Sequence, residues 1–354
     1  MNSIDQRYGS WCVSVHPGQI NYYYDNFYQV HRSNIGFTSD ENSSELSELS
    51  IQDHSTMGQK LPEQFKNNSH NGKISKSAFT KISRAIDYLL FMAKPKRLPD
   101  TKHGKGLFFK VNFVTLTLSS KQIHSDEQIA IHCFRPFLNT LRKRYPHINY
   151  IWRAERQSSG GIHYHIVTDR FIHWNELRNL WNKCQQNLGY VTRYREAQLA
   201  WHSDGFHYRP AHPKNWGRER QFKAYEYGMQ TGWDNPNSTD VHALKHIKNL
   251  QAYFKKYMTK EGQNSDISGR LWGCSSKLSG LKGGRAYCSG DIDSELKIIE
   301  SLPNVHVFKS DFFVVIYILA VLLKQYGCFQ LYGLLQQYCQ EHFCDNSPPR
   351  RSAA

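Results

Sequence analysis

Two histidines, His163 and His165, flank a single tyrosine near the middle of the chain, directly after a glycine pair at 160–161. In an extended strand alternate side chains project to the same face, so both imidazoles would lie on one side and Tyr164 on the other. Two imidazoles held side by side on a rigid strand are suitable ligands for a divalent metal ion. The alternative is a half-exposed strand that carries two histidines by coincidence, and the tripeptide alone leaves both interpretations open.

A carboxylate beside the two histidines would complete a ligand set for Mg²⁺ or Mn²⁺ and leave positions open for a phosphate oxygen. Glu155 lies on the strand predicted to precede the histidines across a short hairpin, and it is the preferred third ligand. Asp169 has the same strand parity as the histidines and is the rival, and Gln157 offers a side-chain carbonyl. The alternative role for Glu155 is a salt bridge to Arg153 or Arg156.

A second group of reactive side chains lies further along the chain, on a segment predicted to be helical: Tyr253, Lys256, Tyr257 and Lys260. These four fall within a sector of roughly 100° at about 100° per residue. A phenol, with its ordinary pKa near ~10, becomes a useful nucleophile when a neighbouring cation stabilises its anion. A lysine can do this and can also neutralise a phosphate under attack. The alternative is a basic helix whose tyrosines pack and whose lysines are solvated.

The overall composition indicates a polyanionic partner. The chain carries 45 Lys and Arg against 30 Asp and Glu, a formal net charge of +15, and 14% of its residues are aromatic. Positive charge attracts phosphates and aromatic faces stack on unpaired bases, so nucleic acid is the expected partner. Eight cysteines without a CxxC pair argue against a zinc ribbon and suit a reducing cytoplasm. The apolar stretch 312–323 is too short for a membrane span, so no membrane partner is expected.

Hydrophobic periodicity predicts the elements that position these residues. The order is strand, helix, strand, strand, helix, strand, preceded by one amphipathic helix, which favours an α+β fold with an antiparallel sheet and helices packed on one face. A kink or break is expected at Pro136. The predicted elements are helices over 79–93, 125–145 and 173–188, strands over 113–118, 149–157 and 190–195, and the strand that carries the histidines after a tight turn at 158–161.

The stretch 195–237 is rich in His, Trp, Tyr, Arg and Pro and is predicted to be a long irregular insertion. Its histidines recur every five residues, which fits neither a helix face nor a strand face, so we interpret them as surface or DNA-facing residues. A helix is expected to begin at Thr239 or Asp240 and to continue through the tyrosines. We expect basic residues of the insertion, together with the following four, to contact DNA phosphates: Lys245, Lys248, Lys255 and Arg270.

Four regions follow from composition and patterning. Residues 1–74 are of low complexity and are predicted to be disordered, because they are rich in Ser, Asn, Asp and Gln. Residues 75–285 form the domain that contains both groups of reactive side chains. Residues 286–347 form a C-terminal α/β extension, and residues 348–354 form a disordered tail.

The motifs together resemble those of the HUH endonuclease superfamily, the rolling-circle replication initiators. The strand at 113–118 is similar to its first motif, His163-Tyr164-His165 to its second and 253–260 to its third. The resemblance is strongest to replication-associated proteins of single-stranded DNA phages and related plasmids, including the filamentous-phage type, and it includes the segment 269–273. It covers roughly residues 75–285, which we therefore interpret as an HUH endonuclease domain.

The resemblance implies a metal-dependent single-strand nickase and strand transferase. Mg²⁺ or Mn²⁺ held by His163, His165 and Glu155 would polarise the scissile phosphate. A tyrosine, Tyr253 or Tyr257, would attack it, forming a 5′-phosphotyrosine link and a 3′-hydroxyl primer, and the strand would be rejoined at termination. Lys256 and Lys260 would assist.

The implied partners are single-stranded DNA at a replication origin and a host helicase and polymerase, in the cytoplasm of a bacterial host. The sequence contains no Gly-x-x-x-x-Gly-Lys-Ser/Thr loop, so a fused helicase is not expected. No organic cofactor is implied.

Two other classes of protein use related features. A conjugative relaxase or a single-tyrosine transposase performs the same chemistry on another substrate, although a relaxase usually carries three clustered histidines where this chain has two. A non-catalytic DNA-binding regulator could retain the fold. The sequence also leaves open which tyrosine attacks first.

Overall fold

The computed structural model of the chain describes residues 9–26, 74–98, 107–157, 159–211, 215–243, 267–303, 305–310 and 313–343. The strands are β1 (Gly9–His16), β2 (Gln19–Asn26), β3 (Lys96–Leu98), β4 (Leu107–Phe109), β5 (Asn112–Thr117), β6 (Tyr150–Arg156), β7 (Ile162–Thr168), β8 (Thr239–Ala243), β9 (Trp272–Cys274), β10 (Gly284–Tyr287), β11 (His306–Lys309) and β12 (Phe313–Tyr317). The helices are α1 (Lys76–Met92), α2 (Asp126–Ile129), α3 (Arg135–Arg144), α4 (Trp174–Gln185), α5 (Tyr190–Trp201), α6 (Arg218–Thr231), α7 (Gly290–Glu300), α8 (Ala320–Gln325) and α9 (Phe329–Phe343).

The chain divides into two compact units, residues 70–281 and residues 1–69 with 282–354. The second unit contains a five-stranded antiparallel sheet in the order β10-β1-β2-β12-β11. The predicted disorder of the N-terminal region is therefore wrong for Gly9–Asn26, which forms the β1–β2 hairpin. The hairpin buries Val13, Val15 and Ile20 completely. It pairs with strands from the far end of the chain, which a local sequence pattern does not reveal.

The first unit is built on a five-stranded antiparallel sheet in the order β8-β5-β7-β6-β9. Strand β7 lies at the centre, and the helices α2, α3 and α4 contribute to the hydrophobic core against one face of the sheet. The predicted α+β architecture with an antiparallel sheet and packed helices is confirmed. Both neighbours of β7 are antiparallel to it, and residues 163–168 of β7 have a defined partner on each side.

The predicted break near Pro136 is confirmed as a change of helix type. Helix α2 begins with a capping box, in which the Ser125 hydroxyl accepts from Gln128 N at 3.2 Å and the Gln128 side chain accepts from Ser125 N at 3.0 Å. The chain then forms a π-helical turn over Ala130–Phe134 before α3. A proline in the first turn of α3 lacks the N–H that a continuous α-helix would need, so the wider turn precedes it.

The predicted strand at 190–195 and the predicted irregular insertion at 195–237 are wrong. The chain is helical over α5 and again over α6, with Gly189 (φ 74°) before the first and Gly232 (φ 60°) after the second. Helix α5 buries only Tyr190 and Val191, at its very start. A buried aromatic beside a β-branched residue resembles a strand, and the rest of the helix lacks the apolar stripe that marks a buried helix.

The prediction that a helix begins at Thr239 or Asp240 is also wrong over the described residues. Thr239–Ala243 forms β8, an antiparallel strand beside β5 with Thr239 opposite Leu116 and Val241 opposite Val114. The open edge of β5 offers backbone partners to this segment, and its Thr and Val residues suit a strand. The predicted continuation of this helix beyond Ala243 lies outside the described residues.

The predicted C-terminal α/β extension contains α7, β11, β12, α8 and α9, and β11 and β12 form an antiparallel pair. None of the helices in the described ranges combines the length and the apolar character needed to cross a membrane.

Tyr164, on the core face of β7, stacks on Phe134 with ring centroids 3.8 Å apart, and among the described residues its buried hydroxyl has no hydrogen-bond partner. We expect Tyr164→Phe to raise the free energy of unfolding by about 1 kcal/mol, because it removes an unsatisfied buried group. Tyr145→Phe is the matched control, since it removes a hydroxyl that donates to Glu176 at 2.8 Å and should cost about 1 kcal/mol. Urea denaturation measures the free energy of unfolding of both variants. If Tyr164→Phe lowers that free energy as much as the control does, the prediction is wrong.

Candidate metal site

The two histidines of β7 lie on the sheet face opposite the core. Ile162, Tyr164 and Ile166 belong to the hydrophobic core, whereas His163 and His165 project from the other face, with ring centroids 4.4 Å apart. The side-chain alternation expected from the sequence therefore holds in the structure. His165 is almost fully buried and His163 is largely so, with 6% and 15% of their side-chain surfaces exposed.

Glu155 on β6 completes a group of three potential ligands. It lies directly opposite His163 in the antiparallel register. One of its carboxylate oxygens, Oε2, lies 3.0 Å from His165 Nε2 and 3.7 Å from His163 Nε2. One ligand atom from each of the three residues lies within 4.8 Å of the other two, a spacing that a single metal ion can bridge.

The turn between β6 and β7 holds this register. Gln157 N donates to Gly161 O at 2.8 Å and Gly160 N donates to Gln157 O at 2.9 Å, which closes a tight turn. Gly160 has φ 86°, in the left-handed region that favours glycine. A slip of one residue would move the histidines into the core, so the turn chemistry contributes directly to the site.

A buried ion pair holds the end of β6 beside the turn. Arg156 makes a bidentate contact to Asp126, with distances of 2.9 Å and 2.7 Å. The same carboxylate accepts from Gln122 at 2.8 Å and from Ser268 N at 3.2 Å, and Gln122 in turn accepts from Ile162 N at 2.7 Å. This network joins the loop before α2, both strands of the hairpin and the segment before β9.

Thr115 on β5 positions His165. Its hydroxyl lies 3.1 Å from His165 Nδ1, while Nε2 of the same ring faces Glu155. An Nδ1–H donating to the threonine would leave the Nε2 lone pair available to a metal. Phe113 stacks on the ring with centroids 5.3 Å apart and restricts its rotation. Thr115 is a site residue that was not predicted from the sequence, although the alternation predicted for 113–118 places its side chain and that of Phe113 on one face.

The electrostatics of the site favour the protonation states that bind metals. The imidazoles of His163 and His165 hold the pKa of Glu155 well below its usual range, so the carboxylate is ionised at neutral pH. Burial lowers the pKa of His165, which keeps that ring neutral. A neutral imidazole and an ionised carboxylate are the forms that coordinate a cation.

His163 shows that the cluster is incomplete by itself. Both of its ring nitrogens are buried, and neither has a hydrogen-bond partner within the part of the chain that the structure describes. A buried polar atom without a hydrogen-bond partner lowers the stability of the fold by about 1–3 kcal/mol. A bond to a metal ion would satisfy one of the two His163 nitrogens. The residues present therefore fit a divalent cation.

Asp169, the rival third ligand, lies at the other end of β7. Its carboxylate accepts from the backbone and side-chain nitrogens of Asn149, at 3.0 Å and 2.8 Å. Gln157 is also engaged elsewhere, accepting from Ser159 at 3.2 Å. Arg156, one of the two suggested salt-bridge partners of Glu155, pairs with Asp126. The structure brings Glu155, and not Asp169, to the histidines.

The other predicted site residues fall into two groups. Arg270 is exposed, just before β9, and its Nε donates to Trp272 O at 2.7 Å. The remainder lie outside the described residues: Lys245, Lys248, Tyr253, Lys255, Lys256, Tyr257 and Lys260.

We expect Thr115→Val to weaken Mn²⁺ binding by about 10- to 100-fold, because the change removes the hydrogen bond that orients His165. Thr117→Val is the matched control on the same strand and face; in the described structure the Thr117 hydroxyl bonds to neither histidine. Isothermal titration with Mn²⁺ measures both affinities. Equal affinities of the two variants would show that Thr115 does not position the ligand.

Comparison with known proteins agrees with the site's location. The family model of replication-associated proteins of the ORF2 and filamentous-phage gene II type matches residues 111–262. No curated protein and no solved structure matches the chain. The matched range begins immediately before β5, contains Glu155, His163 and His165, and extends through the segment 253–260. Residues 111–262 of the chain are therefore similar to this family of replication-associated proteins.

Proposed function

We propose that the chain initiates rolling-circle replication by nicking one strand of an origin and later rejoining it. The observation that carries this proposal is the approach of Glu155, His163 and His165 on the face of the central sheet opposite the helical core. That cluster lies in a segment of a replication-associated family, which also contains the two tyrosines. A metal-binding group and candidate nucleophiles in one replication domain support cleavage of origin DNA.

In the proposed reaction, the phenol oxygen of Tyr253 or Tyr257 attacks the scissile phosphorus. A new phosphorus–oxygen bond forms to the tyrosine, the bond to the 3′ oxygen breaks, and that oxygen leaves as the 3′-hydroxyl after taking up a proton. A divalent cation bound by the three ligands would supply Lewis-acid polarisation of the phosphate. Lys256 and Lys260 stabilise the phenolate and the phosphate charge.

Two tyrosines four residues apart in the sequence suit a cycle of two transfers. One tyrosine holds the first 5′ end, and the other cleaves the regenerated origin, so that the released 3′-hydroxyl attacks the first phosphotyrosine and closes the strand. Both transfers exchange one phosphate ester for another, so no external energy source is required.

We propose Mg²⁺ or Mn²⁺ as the cation. The carboxylate of Glu155 suits either ion, whereas the two imidazole nitrogens favour Mn²⁺, because Mg²⁺ prefers oxygen ligands and gives up its water reluctantly. Three protein ligands leave positions for water and a phosphate oxygen.

Other members of the same superfamily and a non-catalytic regulator remain the competing functions. A relaxase or a single-tyrosine transposase would act on a transfer origin or a transposon end, and the match to a replication-associated family favours a replication origin. A regulator would have no use for two buried histidine nitrogens facing an ionised carboxylate. A host helicase and polymerase are the proposed partners, and residues 75–285 the proposed endonuclease domain.

The metal requirement can be tested with single-stranded origin DNA. We expect Glu155→Gln, His163→Ala or His165→Ala to reduce cleavage by about 100-fold or more, and EDTA to abolish it, because transition-state charge loses its stabilisation. Asp169→Asn is the matched control, since that carboxylate lies at the far end of β7 and should leave cleavage and its metal dependence unchanged. Cleavage that persists in EDTA would overturn the proposal.

The nucleophile can be identified by mass spectrometry of the covalent DNA–peptide adduct formed in the same assay. Tyr253→Phe and Tyr257→Phe show which tyrosine makes the first link, and the double variant should form no adduct. If the double variant cuts as well as the parent, tyrosine transfer is wrong and a hydrolytic or regulatory function takes its place.

DNA contacts are proposed for Lys245, Lys248, Lys255 and Arg270. We expect affinity for DNA to fall steeply with salt, and Arg270→Ala to reduce the slope of log affinity against log salt by about 1, because one phosphate contact is lost. Arg135→Ala is the control, since Arg135 is exposed on α3, on the helical side of the sheet. A slope that responds equally to both changes, or a flat dependence, would contradict these contacts.

A further inference from the structure

A second candidate site lies between α5 and α6, among residues that the proposed cleavage reaction does not use. Aromatic side chains surround a cavity of about 230 Å³, which we call the α5–α6 cavity. The aromatic residues that line it and carry the following argument are Tyr194, Trp201, His202, Phe206, Tyr225 and Trp233.

The inner wall of the cavity is a fixed stack of rings. His202 lies parallel to Trp233, with centroids 5.2 Å apart and an angle of 7° between the planes. His202 Nδ1 lies 3.1 Å from Gly205 O, which holds the orientation of the imidazole. Tyr225 packs against His202 at 4.8 Å. Planar walls of this kind are complementary to a planar ligand.

The backbone is strained to place Trp233. Its φ is 59°, in the left-handed region that a bulky residue rarely adopts, and Gly232 before it has φ 60°. The indole ring lies directly on Gly228 of α6, where a Cβ atom would come within 2.2 Å of it. Strain of this kind persists where the surrounding structure holds it, and it clusters at binding sites.

Gln221 on α6 connects two described parts of the segment between the helices. Its side chain accepts from Arg209 N at 3.0 Å and donates to Arg209 O at 2.8 Å and Trp216 O at 2.6 Å. One helix residue therefore holds Arg209 and Trp216, both of which line the cavity. A preformed lining reduces the entropy lost on binding.

One guanidinium group of the cavity lining stacks on an exposed ring, and a second contacts a ring outside the lining. Arg209 lies 4.2 Å above Trp201, which is 43% exposed, and Arg218 lies 6.0 Å from the ring of Tyr208. An arginine over an aromatic face keeps most of its donors directed outward, where they can bind phosphates. The charge is thus at the rim and the aromatic surface is inside.

We propose that the α5–α6 cavity binds an unpaired base of single-stranded DNA, with Trp201, whose ring carries Arg209 on one face, as the aromatic residue at the entrance. The cavity is smaller than the roughly 300–1,000 Å³ of typical small-molecule sites, which suits one ring system rather than a larger ligand. Rim arginines then contact the flanking phosphates. The identity of the ligand rests on the proposed function, because a nickase must hold its strand in single-stranded form.

The test measures binding of the full-length protein to an oligothymidylate of about 20 nucleotides, and to a strand of the same length in which abasic sites replace the bases. We expect the base-bearing strand to bind about 5- to 150-fold more tightly, the range for one stacked base. Fluorescence anisotropy at constant salt gives both affinities. Equal affinities for the two strands would overturn the proposal, because only phosphates would then be recognised.

Variants locate the effect within the protein. Trp201→Ala should lose the preference for bases and Trp201→Phe should keep most of it. Trp174→Ala is the matched control: Trp174 is 47% exposed and has Arg178 over its ring at 4.5 Å, but it lies on α4, outside the cavity. The same loss in both alanine variants would overturn the assignment to this cavity. Thermal unfolding checks that each variant is folded.

The test is independent of cleavage. Glu155→Gln should abolish cutting while retaining the preference for bases, so failure of the nickase proposal and failure of the base-binding proposal give different results. A preference for bases without any cleavage would leave the cavity as a binding site in a non-catalytic protein. Cleavage without a preference for bases would leave the metal site alone.

Discussion

The two-residue alternation of β7 is the constraint on which the candidate site depends. The two faces of this strand differ, since its even-numbered side chains from Ile162 to Ile166 lie in the hydrophobic core and its two histidines lie on the opposite face of the sheet. The core cannot accept a shifted register, because a slip of one residue would place two imidazoles among its apolar side chains and move Tyr164 to the other face. Stability of the fold and geometry of the site are thus two results of the same packing.

Interactions around β7 convert this approximate placement into a defined geometry. The Arg156–Asp126 pair holds the end of the hairpin, and Thr115 orients one imidazole from the other side. Breaking a buried pair by removing one partner typically costs about 3–5 kcal/mol, so the hairpin end has little freedom to drift. What remains unsatisfied is His163, and that combination of rigid supports and an unpartnered ligand atom among the described residues is what a metal-binding site requires.

The α5–α6 region belongs to the same compact unit as the metal site but is held together by different interactions. It is not part of the sheet, and it holds its shape through stacked rings, a left-handed Trp233 and the triple hydrogen bonding of Gln221. The group of Glu155, His163 and His165 offers charged and polar ligand atoms on two strands. The α5–α6 cavity offers planar aromatic surface with a guanidinium group at its entrance. The proposed cleavage of one DNA strand would use both kinds of surface, one for the phosphate under attack and one to hold the unpaired strand.

The sequence by itself determined the features that depend on local periodicity. The alternation around His163 and His165, the break near Pro136 and the antiparallel sheet with packed helices all follow from residue spacing within single elements. Tertiary structure decided what depends on partners distant in sequence. It brought Glu155 rather than Asp169 to the histidines, made 239–243 a strand because β5 had a free edge, and paired Gly9–Asn26 with strands from the far end of the chain. Local patterns report which face a side chain occupies, but only the completed sheet determines which residues share that face.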